Sequence, residues 1–494
     1  MNLATIIDPH PADAVALVAR GRPMTYGELR HDVAALRGAL ASMGIGEGDR
    51  VAILATNGSH FVRGYLAVLG LGAVAVPLNP ESPAAAHERE VAQVRAKAVL
   101  IGRGAGPGWI GVDRATVPSV EVVISAEALE GTIAWDELFE HAPAPVVDVA
   151  EDHLAALLFT SGTAGRPQAA MLTHGNLLSN IDQSLSSGDR ERPDDVVFGV
   201  LPLFHIFGLN VVLGMTLRVG ACAVLVQRFD PATALDTIRD RKVTIVPGAP
   251  PMWQAWAAMD ELDPAAFAGV RLCLTGASKM PEAATRHLRE RFGVRLREGY
   301  GLTECSPVVT TSTGVEPRDG SIGVPVNGVE VRLVDADGDD ALDGDAGEIW
   351  VRGPNVFAGY WEEPTATAQV LTPDGWLRTG DIAITDDDGF LYLVDRAKDL
   401  IIVSGFNVFP AEVEDVLSEL PGVAEVAVVG VPHPHTGEAV KAYVVLEPDV
   451  EVDEEQLIGG CCEHLARYKC PTKVLFVEQL PRGMGGKILR RALR

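Results

Sequence analysis

The chain has 494 residues, 47% of them hydrophobic and 22% charged, a composition and length suited to about two to four globular domains with large buried cores. Its formal net charge is −26, which argues against nucleic acid as a partner because a polyphosphate backbone would repel it. Six irregularly spaced cysteines fit a reducing cytoplasm better than a disulfide scaffold, and no basic segment precedes an apolar run at the N-terminus, so we expect a cytoplasmic location.

The first half of the chain alternates helical and extended patterns. Leucine and valine recur at helical spacing over residues 25–43, and a second helix is predicted over residues 61–69. Short apolar runs at residues 50–54 and 73–77 predict buried strands. This alternation indicates an α/β arrangement in which helices pack on a sheet.

Residues 197–217 contain no formally charged side chain and resemble a membrane span in hydropathy alone. However, Pro202, His205, Gly208 and Asn210 interrupt the run, and no basic cluster flanks it. We therefore predict buried core beside an apolar cavity, and no transmembrane segment.

The predicted secondary structure changes in the second half of the chain. Residues 323–353 read as short strands joined by acidic turns, which predicts a β-rich subdomain. Beyond residue 395 the pattern is that of a separate small α+β module. Its helices are predicted at residues 410–420 and 454–468, and its strands at 423–431 and 440–445.

A glycine- and hydroxyl-rich loop, FTSGTAGRPQ at residues 159–168, follows a strand predicted over residues 154–159. The groups suited to hold phosphate oxygens are the hydroxyls of Thr160, Ser161 and Thr163 and the backbone N–H groups freed by Gly162 and Gly165. The loop lacks the Gly-Lys-Ser/Thr ending of a Walker A motif, so alone it is weak evidence for a nucleotide site.

Seven further motifs follow in order. They are LPLFH (201–205), TGAS (275–278), EGYGLTECSP (298–307), GWLRTGD (375–381), VDRAKDLIIVSGFNVFPAEVE (394–414), YKCP (468–471) and PRGMGGKILRR (481–491). Together with the loop, this set resembles the adenylate-forming superfamily: acyl- and aryl-CoA synthetases, luciferases and the adenylation domains of peptide synthetases. The resemblance is closest to fatty-acyl- and aryl-CoA synthetases.

The resemblance implies an α/β fold with a large N-terminal AMP-binding domain, residues 1–395, made of stacked α/β sheets and a small β-barrel-like subdomain. A small mobile α+β C-terminal domain, residues 396–494, would follow a hinge near Lys398. The implied reaction joins ATP and a carboxylic acid to form acyl-AMP and pyrophosphate, with Mg²⁺ as metal and coenzyme A as the final acceptor. Such chemistry depends on positioning and charge stabilisation.

The resemblance also implies roles for individual residues. Lys487 matches the catalytic lysine, Glu304 the carboxylate that holds Mg²⁺, Thr303 a contact to the α-phosphate, and His205 a residue beside the acyl pocket. The nucleotide contacts would be Gly276, Ala277, Ser278, Gly299, Tyr300 and Gly301 at the adenine and Asp381 and Arg396 at the ribose, while Gly405 and Lys469 resemble the coenzyme A surface.

The candidate walls of the acyl pocket are Ile206, Phe207, Asn210, Val211, Met252 and Trp253. The apolar run around Phe207 lacks the carboxylate that would hold an amino group, and no arginine stands there to hold a second carboxylate. We therefore predict an uncharged substrate acid, fatty or aryl, as the small-molecule partner.

Two alternatives stay open. A ligase that passes the acyl group to an acyl carrier protein has the same adenylation motifs, although this compact chain shows no room for the insertion that such ligases carry. A weakly catalytic nucleotide-binding relative is the second, because Gln168 stands where the family has lysine and Ala169 where it often has glycine. If catalysis survives, Arg166 or Mg²⁺ is expected to supply part of the missing charge. The oligomeric state stays open, a homodimer being one option.

Overall fold

The computed structural model describes residues 1–494 except 161–166, 260–261, 336, 343, 397–398, 400, 404–405, 435, 449, 451, 483–487 and 494. The chain forms two compact units, one of Met1–Glu330 with Val351–Leu377 and one of Val331–Trp350 with Arg378–Arg494. The division at residue 395 stays a prediction, and the proposed hinge residue Lys398 lies outside the described residues.

The strands are β1 (Val15–Ala19), β2 (Arg22–Thr25), β3 (Arg50–Leu54), β4 (Val74–Leu78), β5 (Ala98–Ile101), β6 (Val122–Ser125), β7 (Ile133–Ala134), β8 (Leu154–Thr160), β9 (Gln168–Thr173), β10 (Val196–Gly199), β11 (Cys222–Leu225), β12 (Ile245–Gly248), β13 (Leu272–Thr275), β14 (Leu296–Gly301), β15 (Val308–Thr311), β16 (Val324–Pro325), β17 (Glu330–Val334), β18 (Gly347–Arg352), β19 (Leu377–Thr385), β20 (Leu391–Arg396), β21 (Ile401–Val403), β22 (Phe406–Val408), β23 (Val423–His433), β24 (Gly437–Leu446) and β25 (Lys473–Phe476).

The α-helices are α1 (Tyr26–Ser42), α2 (Ser59–Gly70), α3 (Ala84–Gln93), α4 (Gly106–Ile110), α5 (His174–Leu185), α6 (Met215–Val219), α7 (Pro231–Asp240), α8 (Pro250–Ala257), α9 (Glu282–Phe292), α10 (Pro364–Val370), α11 (Pro410–Ser418) and α12 (Glu454–His464). The 3₁₀ turns are Leu3–Ile7, Arg114–Thr116, Trp135–Glu140, Thr303–Cys305 and Arg490–Ala492, and Phe207–Gly214 is a π-helix.

The first unit is built on two large sheets. A seven-stranded sheet has the order β7-β6-β5-β3-β4-β8-β9, parallel except for the antiparallel β8–β9 pair. A nine-stranded sheet has the order β16-β15-β14-β13-β12-β10-β11-β1-β2, with a parallel centre from β14 to β1. Parallel strands are covered on both faces, which explains their nearly continuous apolar runs.

The predicted α/β alternation is confirmed. The helix expected over residues 25–43 is α1, and its N-terminus is held by a capping box in which Thr25 and Glu28 exchange hydrogen bonds. The strands expected at 50–54 and 73–77 are β3 and β4. Asn57, just after β3, donates to the carbonyls of Gly199 (3.0 Å) and Leu201 (2.9 Å), so it ties the end of β3 to the end of β10.

The uncharged run 197–217 is buried core, as predicted. It comprises most of β10, the loop to His205, the π-helix and most of α6. A side chain at Gly208 would collide with the carbonyl of Pro202, so this turn requires glycine. In the part of the chain that the structure describes, no helix is both long and apolar enough to cross a membrane.

The second unit contains two smaller sheets. The predicted β-rich segment contributes to a four-stranded sheet of order β17-β18-β19-β20. The C-terminal sheet has the order β22-β21-β24-β23, with β25 parallel to β24, and its apolar core packs against α11 and α12. The four elements predicted beyond residue 395 all exist, with α12 ending at His464, four residues earlier than expected.

The cysteines require a correction. Cys222, Cys273, Cys305 and Cys461 are free, but Cys462 and Cys470 form a disulfide. Because α12 ends early, the chain turns back and brings the Cα atoms of this pair to 5.6 Å. A spacing of eight residues gave no sign of this turn in the sequence.

Candidate active site

The phosphate loop lies at the tip of the β8–β9 hairpin. Thr160 and Gln168 are opposite each other in the ladder, and the Thr160 hydroxyl donates to the Gln168 carbonyl at 3.4 Å. Ser161, Gly162, Thr163, Gly165 and Arg166 lie outside the described residues. The other edge of β9 is also paired, since Met171 N–H donates to the Gly359 carbonyl and Trp361 N–H to the Ala169 carbonyl. The base of the loop is therefore held from both sides.

Glu304 lies on the 3₁₀ turn Thr303–Cys305, which packs against β9. Its carbonyl accepts from Phe357 N–H at 2.8 Å, and its carboxylate Oε1 accepts from the Tyr360 hydroxyl at 2.7 Å. Burial, followed by the negative charge of Glu304, raises the pKa of Tyr360 well above its usual value. The hydroxyl therefore stays protonated and orients the carboxylate at all ordinary pH values.

Tyr360 was missed by the sequence analysis. It is 8% exposed, and its partner Glu304 is 56 residues away in the chain. In the sequence, Tyr360 stands in a Gly-Tyr-Trp run, and this run by itself does not indicate a role in the active site. The contact exists because the segment around Tyr360 pairs with β9, which also supports the Glu304 turn.

The two motifs assigned to the adenine, TGAS and EGYG, lie at the ends of the neighbouring strands β13 and β14 of the nine-stranded sheet. A methyl group built on Gly276 would lie 3.0 Å from the Gly299 carbonyl oxygen and 3.5 Å from the Phe207 ring. Ala277 has a φ of +73°, in the left-handed region that non-glycine residues rarely adopt. The Thr275 hydroxyl is buried and has no hydrogen-bond partner among the described residues. Glycine at position 276 thus lets the TGAS turn lie close to the Gly299 carbonyl and the Phe207 ring, where a side chain would be crowded.

The EGYG segment is shaped by its neighbours on β15. Tyr300 pairs with Thr310, and the register shifts between Tyr300 and Gly301. A side chain at Gly301 would collide with the Pro307 carbonyl, so the bulge requires glycine at this position. Tyr300 itself is 8% exposed. Ser278 follows the strained Ala277 in the turn after β13.

Glu298, at the start of this segment, is a further titratable group that the sequence analysis did not assign. Burial, partly opposed by Lys279, raises its pKa to about 7. It lies opposite Thr275 in the β13–β14 register. A carboxyl group that titrates near neutral pH therefore adjoins Gly299.

The predicted pocket walls lie on two elements. Ile206 and Val211 are 2% and 5% exposed, whereas His205 is exposed and its Nδ1 accepts from Phe207 N–H at 3.2 Å. Asn210 donates to the carbonyls of Leu177 (3.1 Å) and Ser306 (2.6 Å). Asn210 therefore ties the π-helix to the turn that carries Glu304.

Met252 and Trp253 lie on α8 and belong to the core of the nine-stranded sheet. Trp253 is fully buried against Trp256 and Phe267, and its indole N–H donates to the Leu274 carbonyl at 3.1 Å. A role for Met252 and Trp253 as pocket walls stays a prediction.

In the second unit, the structure places the two residues assigned to the ribose side by side. Asp381 on β19 and Arg396 on β20 are partners in the antiparallel register. Lys469 forms an ion pair with Glu412, with Nζ–Oε distances of 2.6 and 2.7 Å. Gly405 and Lys487 lie outside the described residues.

Comparison with known proteins places this geometry in a family. The sequence model of the AMP-binding enzyme family matches residues 5–361, and that of the AMP-binding enzyme C-terminal domain matches residues 412–487. A feruloyl-CoA synthase of an Amycolatopsis species is 38% identical over 493 residues, covering 99% of this chain and 96% of that protein.

Two further similarities extend over the full length. A long-chain-fatty-acid–CoA ligase of Salmonella typhimurium is 36% identical over 520 residues, covering 98% of this chain and 92% of the relative. The crystal structure of ATP-bound MatB from Rhodopseudomonas palustris has a TM-score of 0.92 at 32% identity, covering 100% of this chain and 98% of that one. These matches show that the chain belongs to the AMP-binding enzyme family, within the adenylate-forming superfamily.

Proposed function

We propose that this chain is an AMP-forming acid–CoA ligase. It joins an uncharged carboxylic acid to the α-phosphate of ATP, releasing pyrophosphate, and then transfers the acyl group to the thiol of coenzyme A, releasing AMP. The observation that carries this proposal is the close approach of Gly276 in the TGAS motif to Gly299 in the EGYG motif, the two segments assigned to the adenine.

These segments would hold the base of an adenine nucleotide through their backbone groups. A β-carbon at position 276 would lie 3.0 Å from the Gly299 carbonyl oxygen, and one at position 299 would lie 3.3 Å from the Thr310 carbonyl oxygen. The buried Thr275 hydroxyl lacks a partner among the described residues and is available for a hydrogen bond. An unsatisfied buried hydroxyl costs free energy, so a ligand that pairs with it is favoured.

Glu304 fits the role of a Mg²⁺ ligand. Carboxylate and phosphate oxygens are the ligands that Mg²⁺ prefers, and the bound ion would neutralise charge on the phosphates. Tyr360 holds the carboxylate in one orientation through a 2.7 Å hydrogen bond. Thr303, the preceding residue of the same turn, would donate to a phosphate oxygen.

The remaining steps need charge stabilisation. The substrate carboxylate oxygen bonds to the α-phosphorus while the bond to pyrophosphate breaks, so no proton transfer is required of the protein. Donors such as Lys487 and the hydroxyls of the phosphate loop would stabilise charge on the oxygens, each contributing roughly a hundred- to thousand-fold in rate. Asp381 and Arg396 would hold the ribose hydroxyls.

An uncharged substrate follows from the absence of charged residues between Val197 and Leu217. The relatives named above support this, since one carries the name of an aryl acid and the other that of long-chain fatty acids. These residues do not distinguish an aryl acid from a fatty acid as the substrate, so an experiment must decide between them.

Coenzyme A is the proposed acceptor, with an acyl carrier protein as the alternative. Lys469 is paired with Glu412, so its proposed contact with coenzyme A requires the ammonium group to exchange partners. A cytoplasmic location belongs to the same proposal, because both cosubstrates are cytoplasmic. Whether the enzyme is a homodimer is tested by light scattering.

The test is pyrophosphate release with a panel of fatty and aryl acids, with hydroxylamine present to trap the activated acyl group. We expect hydroxamate with at least one uncharged acid, thioester when coenzyme A is added, and loss of both with Lys487→Ala. Hydroxamate without thioester would favour the carrier-protein ligase. No turnover with any acid would favour the weakly catalytic relative that Gln168 suggests.

A further inference from the structure

A disulfide closes the turn that follows α12 in the second unit, residues 465–470. Cys462 lies in the last turn of the helix and is exposed, whereas Cys470 is 6% exposed. Within the turn, Lys469 N–H donates to the Ala466 carbonyl at 2.8 Å. Cys470 N–H donates to the Arg467 carbonyl at 3.3 Å. The disulfide therefore joins the end of this turn covalently to the helix from which the turn begins.

The residue before Cys470 is held against the neighbouring helix. The Nζ atom of Lys469 lies 2.6 and 2.7 Å from the two carboxylate oxygens of Glu412 on α11. The helices α11 and α12 contribute to one apolar core, to which Val413 and Cys461 belong. Because this core fixes the two helices and the disulfide fixes the turn on α12, the backbone of Lys469 is kept where its ammonium group reaches both oxygens.

Opening the disulfide would change how easily Lys469 leaves Glu412. The two side chains are only 21% and 35% exposed, so water weakens this ion pair less than one at the open surface. A short closed ring has fewer conformations than the same chain left open. With the ring opened, the Cα atom of Lys469 can move together with its ammonium group, which makes an exchange of partners easier.

The sulfur atoms in this region differ in access. Exchange begins when a thiolate attacks one sulfur of a disulfide, and the exposed Cys462 is the accessible one. The neighbouring Cys461 is fully buried, and burial, followed by the negative charge of Glu412, raises the pKa of its thiol to about 11. Since the thiolate is the nucleophile, Cys461 does not compete near neutral pH. The exchange is therefore confined to Cys462 and Cys470.

We propose that Cys462 and Cys470 are a site of reversible thiol–disulfide exchange with a dithiol reductant, and that this exchange controls transfer of the acyl group to coenzyme A. The inference rests on the proposed function, which makes Lys469 a contact of coenzyme A. It also places the chain in the cytoplasm, where disulfides are usually transient and redox-sensing. The oxidised protein keeps Lys469 on Glu412, and the reduced protein frees it.

The exchange proceeds in two steps. One thiolate of the dithiol attacks the Cys462 sulfur, forming a mixed disulfide and releasing the Cys470 thiolate, which takes up a proton. The second thiol of the reductant, as its thiolate, then attacks the reductant's own sulfur in the mixed disulfide, releasing the Cys462 thiolate, which is protonated in turn. Two electrons and two protons pass from the dithiol to the protein, and an oxidised dithiol runs the reverse reaction.

The kinetic test compares the oxidised protein with protein that has been reduced by dithiothreitol and then freed of it. The oxidised form should have a KM for coenzyme A at least ~10-fold higher, because it withholds one charged hydrogen-bond donor. The acyl-hydroxamate rate without coenzyme A should be equal in both forms, since adenylation precedes the transfer. Because coenzyme A is itself a thiol, mass spectrometry verifies the redox state after each assay.

Two outcomes of this test separate the two proposals. Thioester formation with an equal KM in both forms would overturn the redox control and leave the proposed function standing. Hydroxamate without thioester in either form would overturn both the redox control and coenzyme A as the acceptor.

Variants show whether the disulfide acts through Lys469. Cys462→Ser should keep the KM of the reduced protein with or without oxidant, whereas the matched control Cys222→Ser, which removes a free thiol of the first unit, should respond like the wild type. Glu412→Gln should lower the KM of the oxidised form, because a neutral amide releases the ammonium group. Lys469→Gln should have the high KM in both redox states. A Cys462→Ser variant that still responds to oxidant would overturn the assignment.

A labelling experiment tests the exchange site itself. Iodoacetamide in denaturant should label Cys462 and Cys470 only if the native protein was first reduced by dithiothreitol, and should label Cys461 in either case. In Cys470→Ser, glutathione disulfide should leave a mixed disulfide on Cys462. Labelling of both cysteines without prior reduction, or protection of both after it, would overturn the proposal.

Discussion

Replacing Tyr360 by phenylalanine tests whether the orientation of Glu304 matters for adenylation. The substitution removes one hydroxyl and keeps the ring, which packs 4.9 Å from the ring of Phe357. The lost hydrogen bond is short, at 2.7 Å, and its acceptor is a carboxylate. Hydrogen bonds to charged groups contribute about 1.5–3 kcal/mol, so we expect adenylation to fall by ~10- to 100-fold.

The effect should be specific to the metal and nucleotide. A carboxylate that samples several orientations binds Mg²⁺ less well, so the Mg²⁺ concentration for half-maximal pyrophosphate release should rise together with the KM for ATP. The matched control is Tyr65→Phe, since Tyr65 is 4% exposed and its hydroxyl has no partner among the described residues. If both variants retain wild-type Mg²⁺ dependence and rate, Tyr360 has no positioning role.

Three further predictions concern the nucleotide side of the site. Gly276→Ala should raise the KM for ATP ~10-fold or more, because its methyl group would lie 3.0 Å from the Gly299 carbonyl, whereas Gly269→Ala, with open space around it, should be neutral. Gln168→Lys should lower the KM for ATP or speed adenylation, and unchanged kinetics would mean that the loop binds phosphate through backbone and hydroxyls alone. Glu298 has a folded-state pKa raised from 4.5 to about 7, so its stabilising contribution is complete below pH 4.5 and is lost as the pH rises to 7. In urea titrations, Glu298→Gln should therefore remove a decline of about 3 kcal/mol over this window, and parallel wild-type and variant profiles would contradict the assignment.

Local sequence patterns were sufficient to predict several of the helices and strands and the family to which the motifs belong. The strands β3, β4 and β8 can be recognised in the sequence because strands buried on both faces need a nearly continuous apolar run. The order of the motifs along the chain likewise identified the family, since each motif is a short contiguous segment with its own backbone requirement. Gly301 is an example, because its neighbour's carbonyl excludes any side chain.

Contacts between distant segments were decided only by the tertiary structure. Sheet order is not readable along the chain: β1 lies beside β11, and the segment of Tyr360 lies beside β9. For this reason the Tyr360–Glu304 hydrogen bond was not foreseen.

The same reason explains the ambiguity at the acyl pocket. Trp253 reads in sequence as an apolar residue near the pocket motif, and the structure shows it packed in the aromatic core with its N–H satisfied by Leu274. Hydrophobicity predicts that a side chain is buried but not which surface it meets, because apolar burial is non-directional. The sequence determines the chemistry of each side chain. Which neighbours a side chain contacts depends on how the strands are ordered in the folded sheets.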